Sequence, residues 1–250
     1  MSEEPKTPPA TATEPLGAKA AETLPEETLY IAELGALQRS GDKDMAQVSY
    51  LREGVFDYQT YRRIQTEGNK RKLGAVFVQE PMIRDLAAYA EAGGPVTRIL
   101  CHGTRNAAEQ GFFKAALPGV SVLGTEISDT ATQFPDTVQW DFHEMNPDWA
   151  GAFDLVYSNS WDHSYDPAKA FATWALCVRP GGLLALEHTK AHQARRVNAL
   201  DPFGTNVPKL IELVETLPGM VHETTRVFGE KPRWRRLVLF RKAPATAAPA

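Results

Sequence analysis

The segment from Val96 to Ser128 constrains the fold more than any other part of the chain; it reads VTRILCHGTRNAAEQGFFKAALPGVSVLGTEIS. An apolar run predicts a strand, Gly103 predicts a turn, a helix-like stretch follows, and a second β-rich run ends at Glu126. In nucleotide-binding α/β units the ligand approaches such a turn, and an acid about 20 residues later accepts hydrogen bonds from the ribose. Glu126 follows Gly103 by 23 residues. The segment therefore predicts a nucleoside-binding α/β unit.

The glycine loop itself is a weak signal for a dinucleotide. Where a dinucleotide site reads G-x-G-x-x-G, this chain has Gly103, Arg105 and Ala108. A pyrophosphate needs closer backbone approach than an arginine side chain readily allows. A nucleoside that carries an amino-acid tail has no phosphate, so it does not require such a close approach to the backbone of this loop.

Composition and charge narrow the class of protein. The chain has 250 residues, of which 43% are hydrophobic and 23% charged, so we expect one soluble α/β domain. The net charge of -4 disfavours nucleic acid and an anionic membrane surface as partners. With no apolar run of membrane-spanning length and no signal sequence, we expect a cytoplasmic protein. Cys101 and Cys177 lack zinc-site spacing and are predicted to be buried free thiols.

Before the α/β unit we predict a disordered tail and a helical region. Residues 1–26 and 243–250 are rich in Pro, Ala and Thr and are predicted to be disordered. Residues 27–95 form a predicted helical lid or substrate region, with helices over Thr28–Arg39 and Pro81–Ala92. Between them, Val48–Lys72 is both aromatic and basic. This stretch is either a solvated helix whose aromatics dock on the core or a lid over a substrate pocket.

After Glu126 the pattern alternates between strands and helices. The predicted strands are Val138–Asp141, Asp154–Asn159, Leu183–His188, Val221–Phe228 and Trp234–Phe240, and the predicted helices are Pro167–Val178 and Val207–Leu217. No helix-length segment separates the last two strands, so they should form an antiparallel hairpin. We therefore predict a doubly wound, mostly parallel, seven-stranded sheet with a C-terminal antiparallel hairpin.

Residues 96–242 resemble the class I S-adenosylmethionine-dependent methyltransferases. The most specific part is FDLVYSNSWDHSYDPAKAFATWALCVRPGGLLALEH, which is similar to the family's fourth strand, the helix after it and the turn into strand five. The resemblance implies a Rossmann-like domain over 96–242, S-adenosyl-L-methionine as the cofactor, and methyl transfer as the activity. The chain departs from the family where Cys101 replaces an acid and where Arg105 and Ala107 replace glycines.

The resemblance also implies which residues contact the cofactor. Gly103 takes the place of the first loop glycine, Glu126 that of the acid that binds the ribose, and Asp141 that of the acid near the adenine amine. The full set of implied cofactor contacts is Gly103, Thr104, Asn106, Glu126, Ile127, Asp141, Phe142 and Asn159. Each acid could instead be a solvated strand end or a helix cap, but two acids at neighbouring strand tips favour a binding site.

Two histidines are candidates for removing a proton from the acceptor. His163 with Asp162 follows strand four, and His188 with Glu187 ends strand five. His163 is the stronger candidate, with a packing histidine as the alternative. A divalent metal held by His188, His192 and Asp162 is a minority alternative, and no metal is expected.

The residues after strand four bear on the acceptor. Base-directed amino-methyltransferases resemble one another in an Asn/Asp-Pro-Pro-aromatic turn, and this chain has Ser158-Asn159-Ser160-Trp161 instead. We therefore expect a small-molecule or glycan-like acceptor that is methylated on oxygen, with Trp161 as a stacking wall. The competing interpretations are a non-catalytic cofactor-binding protein on the same fold and a nicotinamide-dependent oxidoreductase.

Overall fold

The computed structural model describes residues 37–229 and 234–244. The strands are β1 (Leu37–Gly41), β2 (Met45–Arg52), β3 (Val55–Phe56), β4 (Arg98–His102), β5 (Ser121–Glu126), β6 (Thr137–Gln139), β7 (Phe153–Ser158), β8 (Val178–His188), β9 (Phe203–Thr205), β10 (Met220–Phe228) and β11 (Arg235–Lys242). The α-helices are α1 (Tyr58–Arg71), α2 (Glu80–Ala92), α3 (Ala108–Ala116), α4 (Pro167–Cys177) and α5 (Val207–Glu215). The predicted disordered tail over residues 1–26 and residues 245–250 of the C-terminal one lie outside the described residues, whereas the Ala243 N–H donates to the Gly219 carbonyl oxygen at 2.7 Å.

The central sheet has seven strands in the order β6-β5-β4-β7-β8-β11-β10. Strands β4 to β8 are parallel, and β11 runs antiparallel to both β8 and β10. The predicted doubly wound sheet with its terminal hairpin is confirmed. The chain moves outward in one direction from β4 and in the other from β7, so the ligand-binding crevice of such a sheet lies at the carboxyl ends of these two strands.

Both faces of this sheet are covered, as the continuous apolar run in β8 predicts. Leu184 and Leu186 pack in the layer formed by α4 and α5, whereas Leu183 and Ala185 pack in the layer formed by α2 and α3. This alternation follows from the two-residue period of a strand. Cys101 and Cys177 are buried free thiols, as expected. No helix within the described part of the chain is long and apolar enough to cross a membrane.

The N-terminal region is not only helical. Strands β1, β2 and β3 form an antiparallel sheet, and β9, from far along the chain, pairs with β2. The predicted helix over Thr28–Arg39 is wrong at Leu37–Arg39, which belong to β1, and its remaining residues lie outside the described part. In β2 the alternate residues Ala46, Val48 and Tyr50 are buried. This two-residue period, hidden within an aromatic and basic stretch, is what makes the segment a strand.

Helix α1 docks through its aromatic and apolar residues. Asp57 caps it by accepting a hydrogen bond from the Thr60 N–H at 3.1 Å. Tyr61 and Ile64 pack with Tyr50 and Leu200 in a separate small core. Val48–Lys72 thus combines a strand with a helix whose aromatics dock on the core, and the region between α1 and the central sheet is where ligands have room.

The packing of β9 against residues 193–197 can be tested at Gly204. A Cβ atom there would lie 2.7 Å from the Gln193 carbonyl oxygen, which is backbone and cannot easily move. We expect Gly204→Ala to lower the free energy of unfolding by about 1–3 kcal/mol in chemical denaturation. Gly111→Ala on α3 is the matched control, since a Cβ there meets no atom within 4 Å and helical alanine is favoured by about 0.5–1 kcal/mol. Equal stability of the two variants would contradict the tight packing of β9 against the Gln193 backbone.

Candidate functional site

Two adjoining cavities lie at the carboxyl ends of β4, β5 and β7. The first, of about 40 Å³, lies between α1 and the sheet, and Glu126, Ile127, Asp141 and Phe142 are among its lining residues. The second, of about 460 Å³, extends towards the end of β8. Four residues line both cavities, namely Gly103, Arg105, Ser160 and His163. All eight implied cofactor contacts line one or both of these cavities. Thr104, Asn106 and Asn159 line the second, Gly103 lines both, and the other four line the first.

The loop after β4 packs tightly against the loop after β7. Gly103 has φ +75°, and a Cβ atom on it would lie 2.7 Å from the Ser160 Cβ. The Ser160 hydroxyl donates to the Gly103 carbonyl oxygen at 3.1 Å. Arg105 and Ala107, which replace glycines of the resembling family, have φ values of 38° and 59°. The loop therefore keeps left-handed backbone at these two positions, at a cost of about 1–2 kcal/mol each.

Glu126 is a buried carboxylate at the tip of β5. It is 7% exposed and accepts hydrogen bonds from the Ser128 N–H at 2.9 Å and the Arg105 N–H at 3.2 Å. Burial raises the pKa of Glu126, although these two N–H groups favour the charged form. Glu126 is thus an acceptor within the first cavity and also a support of the loop after β4.

Asp141 lines the same cavity but is already engaged by its neighbours. It accepts hydrogen bonds from the His143 N–H at 2.9 Å and from the Tyr58 hydroxyl, on α1, at 2.9 Å. Burial alone would raise the pKa of Asp141, but hydrogen bonds from His143 outweigh this effect and hold that pKa below its usual range. Asp141 is therefore a charged group that links the N-terminal helix to this cavity.

His163 lies at the junction of the two cavities in a defined hydrogen-bonded arrangement. Its Nδ1 is 2.8 Å from the Gln65 Oε1, and the Gln65 Nε2 donates to the Leu200 carbonyl oxygen. Because that bond fixes the Gln65 oxygen towards His163, Nδ1 carries the proton and Nε2 is the free base in the neutral ring. The Asp201 Oδ1 lies 3.5 Å from Nε2.

The expected pairing of His163 with Asp162 is wrong, although both residues line the second cavity. The partner of His163 is Asp201, and the nearest basic atom to the Asp162 Oδ1 is the His192 Nε2 at 3.6 Å. Neither Gln65 nor Asp201 carries a sequence signal for this role. Gln65 reaches His163 only because α1 docks there, and Asp201 only because the segment before β9 does.

His188 and Trp161 are packed inside the protein and not exposed to either cavity. The His188 Nε2 donates to the Thr205 carbonyl oxygen at 2.8 Å, and burial lowers the pKa of His188 to about 4. Trp161 is fully buried and donates its indole N–H to the Glu187 carbonyl oxygen at 2.6 Å. The expectation that Trp161 forms a stacking wall for the acceptor is wrong, and His188 lines neither cavity.

Two ionisable residues of the second cavity, Glu109 and Arg105, are not among the cofactor contacts that the resemblance implies. Glu109, in the first turn of α3, is 6% exposed and its Oε2 has no hydrogen-bond partner. Burial raises the pKa of Glu109 to about 8. The Arg105 Nε is likewise buried without a partner, and the Arg105 guanidinium lies 4.8 Å from the centre of the Phe77 ring. An acid in the first turn of a helix is common, so position alone did not distinguish Glu109.

The segment between α1 and α2 covers part of the second cavity and is held by the loop after β4. The Asn106 side-chain amide donates to the carbonyl oxygens of Leu73 and Ala75 at 2.9 and 3.1 Å. Phe77, under the Arg105 guanidinium, lines the same cavity. Within residues 37–229 and 234–244, no group of three or more His, Cys, Asp or Glu side chains is arranged to hold a metal ion.

Comparisons with known proteins give matches in structure only. No protein-family model and no curated protein matches the sequence. A 1,6-didemethyltoxoflavin-N1-methyltransferase from Burkholderia thailandensis, solved with S-adenosylhomocysteine, is 14% identical, with TM-score 0.59 over 82% of this chain and 99% of that one. The N-methyltransferase NodS from Bradyrhizobium japonicum, solved with S-adenosylhomocysteine, is 14% identical, with TM-score 0.53 over 71% and 98%.

A third solved structure shows how far such a likeness reaches. The cyclase SpnF is 13% identical, with TM-score 0.53 over 66% of this chain and 81% of that one. At these identities the comparisons bear on the fold, and a fold hosts more than one chemistry. Together with the strand order and the terminal hairpin, they show that the chain has the fold of the class I S-adenosylmethionine-dependent methyltransferases.

Proposed function

We propose that the protein transfers a methyl group from S-adenosylmethionine to a hydroxyl group of a small-molecule or glycan-like acceptor. The observation that carries the proposal is the position of His163, whose Nε2 lies where a small cavity lined by the buried acid Glu126 meets a larger cavity. In this arrangement the first cavity takes the nucleoside, the second takes the rest of the cofactor and the acceptor, and His163 lies between them.

The residues of the first cavity suit an adenosyl group in kind. Glu126 offers carboxylate oxygens to ribose hydroxyls, and Asp141 and Phe142 offer an acceptor and an aromatic face for adenine. The cavity volume of about 40 Å³ holds only a few water molecules. Binding therefore requires side chains on the α1 side, such as Leu200 against Gly68, to move outward.

The second cavity supplies unpaired groups for the cofactor's amino-acid tail. The tail is a zwitterion, and it needs one donor for its carboxylate and one acceptor for its ammonium group. The Arg105 Nε and the Glu109 Oε2 are both buried without partners and line this cavity. A buried polar atom without a partner costs about 1–3 kcal/mol, which a ligand that completes the pair recovers. Arg105, a departure from the family pattern, thus has a role of its own.

His163 supplies the proton acceptor. When bound, S-adenosylmethionine supplies an electrophilic methyl group on a positively charged sulfur. An acceptor hydroxyl at the junction donates its proton to the His163 Nε2, while Gln65 holds the ring through Nδ1. The Asp201 carboxylate, 3.5 Å from Nε2, stabilises the imidazolium that forms. The remaining rate enhancement comes from the alignment of the two reactants in adjoining cavities.

A non-catalytic protein on the same fold is the second candidate. The narrow first cavity and the non-glycine residues at Arg105 and Ala107 favour it. A nicotinamide-dependent oxidoreductase is disfavoured, because the Arg105 side chain occupies the place where a pyrophosphate would approach the loop.

The first test of the proposal is a calorimetric titration with S-adenosylhomocysteine and NAD. We expect S-adenosylhomocysteine to bind and NAD not to bind. Glu126→Gln should weaken S-adenosylhomocysteine by about tenfold or more, since a charge-assisted hydrogen bond contributes about 1.5–3 kcal/mol. Glutamine keeps an oxygen for the Ser128 N–H and loses only the longer bond from the Arg105 N–H, so the loop should stay folded. If the wild-type protein binds neither ligand, the proposed methyl transfer is contradicted and the non-catalytic function is favoured.

The roles of Arg105 and Glu109 can be separated from those of the nucleoside cavity by a truncated ligand. 5′-Methylthioadenosine lacks the amino-acid tail of S-adenosylhomocysteine. Glu109→Gln should therefore weaken S-adenosylhomocysteine by about tenfold and leave 5′-methylthioadenosine affinity unchanged in calorimetry. Glu126→Gln is the matched comparison and should weaken both ligands. A loss of both ligands in Glu109→Gln would remove this residue from the tail site.

The tautomer of His163 can be measured without knowing the acceptor. In long-range ¹H–¹⁵N spectra at a pH where the ring is neutral, His163 should carry its proton on Nδ1, and Gln65→Leu should abolish this preference. With an acceptor in hand, His163→Ala should lower turnover by about 10² to 10⁴ while cofactor affinity is retained. His222→Ala, far from both cavities on β10, is the control. A neutral His163 protonated on Nε2 would contradict its role as the base.

A further inference from the structure

The floor of the second cavity, towards the end of β8, is acidic. Asp162, Glu187 and Asp201 all line it. Asp162 is 4% exposed and Glu187 is 1% exposed, so both carboxyl groups are withdrawn from bulk water. Burying a carboxylate is costly unless a cation or hydrogen-bond donors compensate it. A ligand can therefore stabilise whichever of these carboxyl groups lacks a cation or a hydrogen-bond donor within the protein.

Glu187 and Asp201 have partners within the protein. Glu187 accepts a hydrogen bond from the Tyr157 hydroxyl at 3.0 Å and forms an ion pair with Arg235. Asp201 lies beside the His163 Nε2 and accepts a hydrogen bond from the Asn198 side-chain amide at 3.1 Å. These two acids are compensated without a ligand.

Asp162 differs from them because its nearest basic neighbour is committed elsewhere. The His192 Nε2, 3.6 Å from the Asp162 Oδ1, donates to the Asn159 carbonyl oxygen at 3.0 Å. The His192 Nδ1 accepts a hydrogen bond from the Thr189 N–H at 2.8 Å, so it carries no proton and the ring is neutral. The Asp162 Oδ1 is left buried without a hydrogen-bond partner.

A donor that carries positive charge would satisfy Asp162. The described residues hold no cluster suited to a metal ion, which leaves an organic cation with N–H groups. The basic residues of the cavity do not fill this role. Arg235 pairs with Glu187 and the Arg105 guanidinium lies over the Phe77 ring, and within the described residues neither Lys72 nor Lys190 forms an ion pair with Asp162. The cavity of about 460 Å³ has room for a small amine beside the cofactor's tail.

We propose that the methyl acceptor carries a protonated amine, and that Asp162 binds this ammonium group on the floor of the second cavity. That this ligand is a methyl acceptor rests on the proposed function. Its chemical class is then a small amino alcohol or amino sugar. Asp162 and His163 both line the second cavity, so one acceptor in it can place its ammonium group at Asp162 and its hydroxyl group at His163. Asp162 is in this sense a specificity residue that touches the acceptor.

The test compares amines with alcohols of the same length. Linear primary amines from propylamine to hexylamine, and the matching alcohols, are titrated into ¹⁵N-labelled protein with and without S-adenosylhomocysteine and followed by NMR. At least one amine should bind about tenfold more tightly than its alcohol, because only the amine forms a charge-assisted hydrogen bond with Asp162. If no amine binds more tightly than its alcohol, the proposal is overturned without any variant.

Two isosteric variants then assign the effect to one carboxyl group. Asp162→Asn should weaken the amine about tenfold and leave S-adenosylhomocysteine and the alcohol unchanged. Glu109→Gln should do the reverse, weakening S-adenosylhomocysteine and not the amine. Glu91→Gln, on the exposed end of α2, should change neither. If Asp162→Asn leaves the amine unchanged, or weakens S-adenosylhomocysteine as strongly as the amine, Asp162 is not the ammonium site.

Amine affinity should also depend on pH. Burial raises the pKa of Asp162 to about 7, against the attraction of His163, and Asp201, Glu187 and His192 also face this carboxyl group. Protonated Asp162 cannot act as a counter-ion, whereas an alkylamine keeps its charge up to a pH of about 10. Affinity should therefore rise between about pH 6 and pH 8, and Asp162→Asn should flatten this rise. A wild-type affinity that does not change over this range contradicts the proposal.

The result separates the two proposals. If an amine binds through Asp162 but S-adenosylhomocysteine does not bind, the ammonium site stands and the methyl-transfer function falls. If S-adenosylhomocysteine binds and amines do not, the function stands and the acceptor is of another class.

Discussion

The contact between the loops after β4 and β7 determines the shape of the site. Gly103 must lie against Ser160, because any side chain at that position would overlap the Ser160 Cβ at 2.7 Å. This close approach brings the two halves of the doubly wound sheet together at their carboxyl ends, where the strand order diverges. The cavities lie on either side of this contact, and His163 follows it directly in the chain. Arg105 and Ala107 adopt left-handed backbone, which glycine adopts at no steric cost.

The central sheet could be predicted from sequence because its signals are local. The apolar run Leu183–His188 and the short link between β10 and β11 each specify a structure within a few residues. The same is true of Glu126, whose place at a strand tip is set by the strand before it. The acid ends up buried in the cavity where the pattern puts it.

The remainder of the site depends on contacts between distant parts of the chain. Gln65 orients His163 only because α1 packs against the segment around Leu200, and β9 joins β2 only in the folded protein. The sequence paired His163 with Asp162 because they are adjacent in the chain, but in a 3₁₀ turn adjacent side chains point in different directions. Trp161 was misjudged for a related reason, since a tryptophan beside a site can equally be part of the core beneath it. Burial, which decides both cases, is a property of the whole fold.

The hydrogen bonds from Asn106 to the segment between α1 and α2 link the binding of the cofactor to the binding of the acceptor. The loop that would contact the cofactor is bonded through Asn106 to the carbonyl oxygens of Leu73 and Ala75, and this segment covers the larger cavity. A ligand in one cavity that shifts this loop also shifts the cover of the other. Because binding free energies are reciprocal, whatever factor the first ligand imposes on the affinity of the second, the second imposes on the first. The geometry thus couples the two affinities through one asparagine side chain.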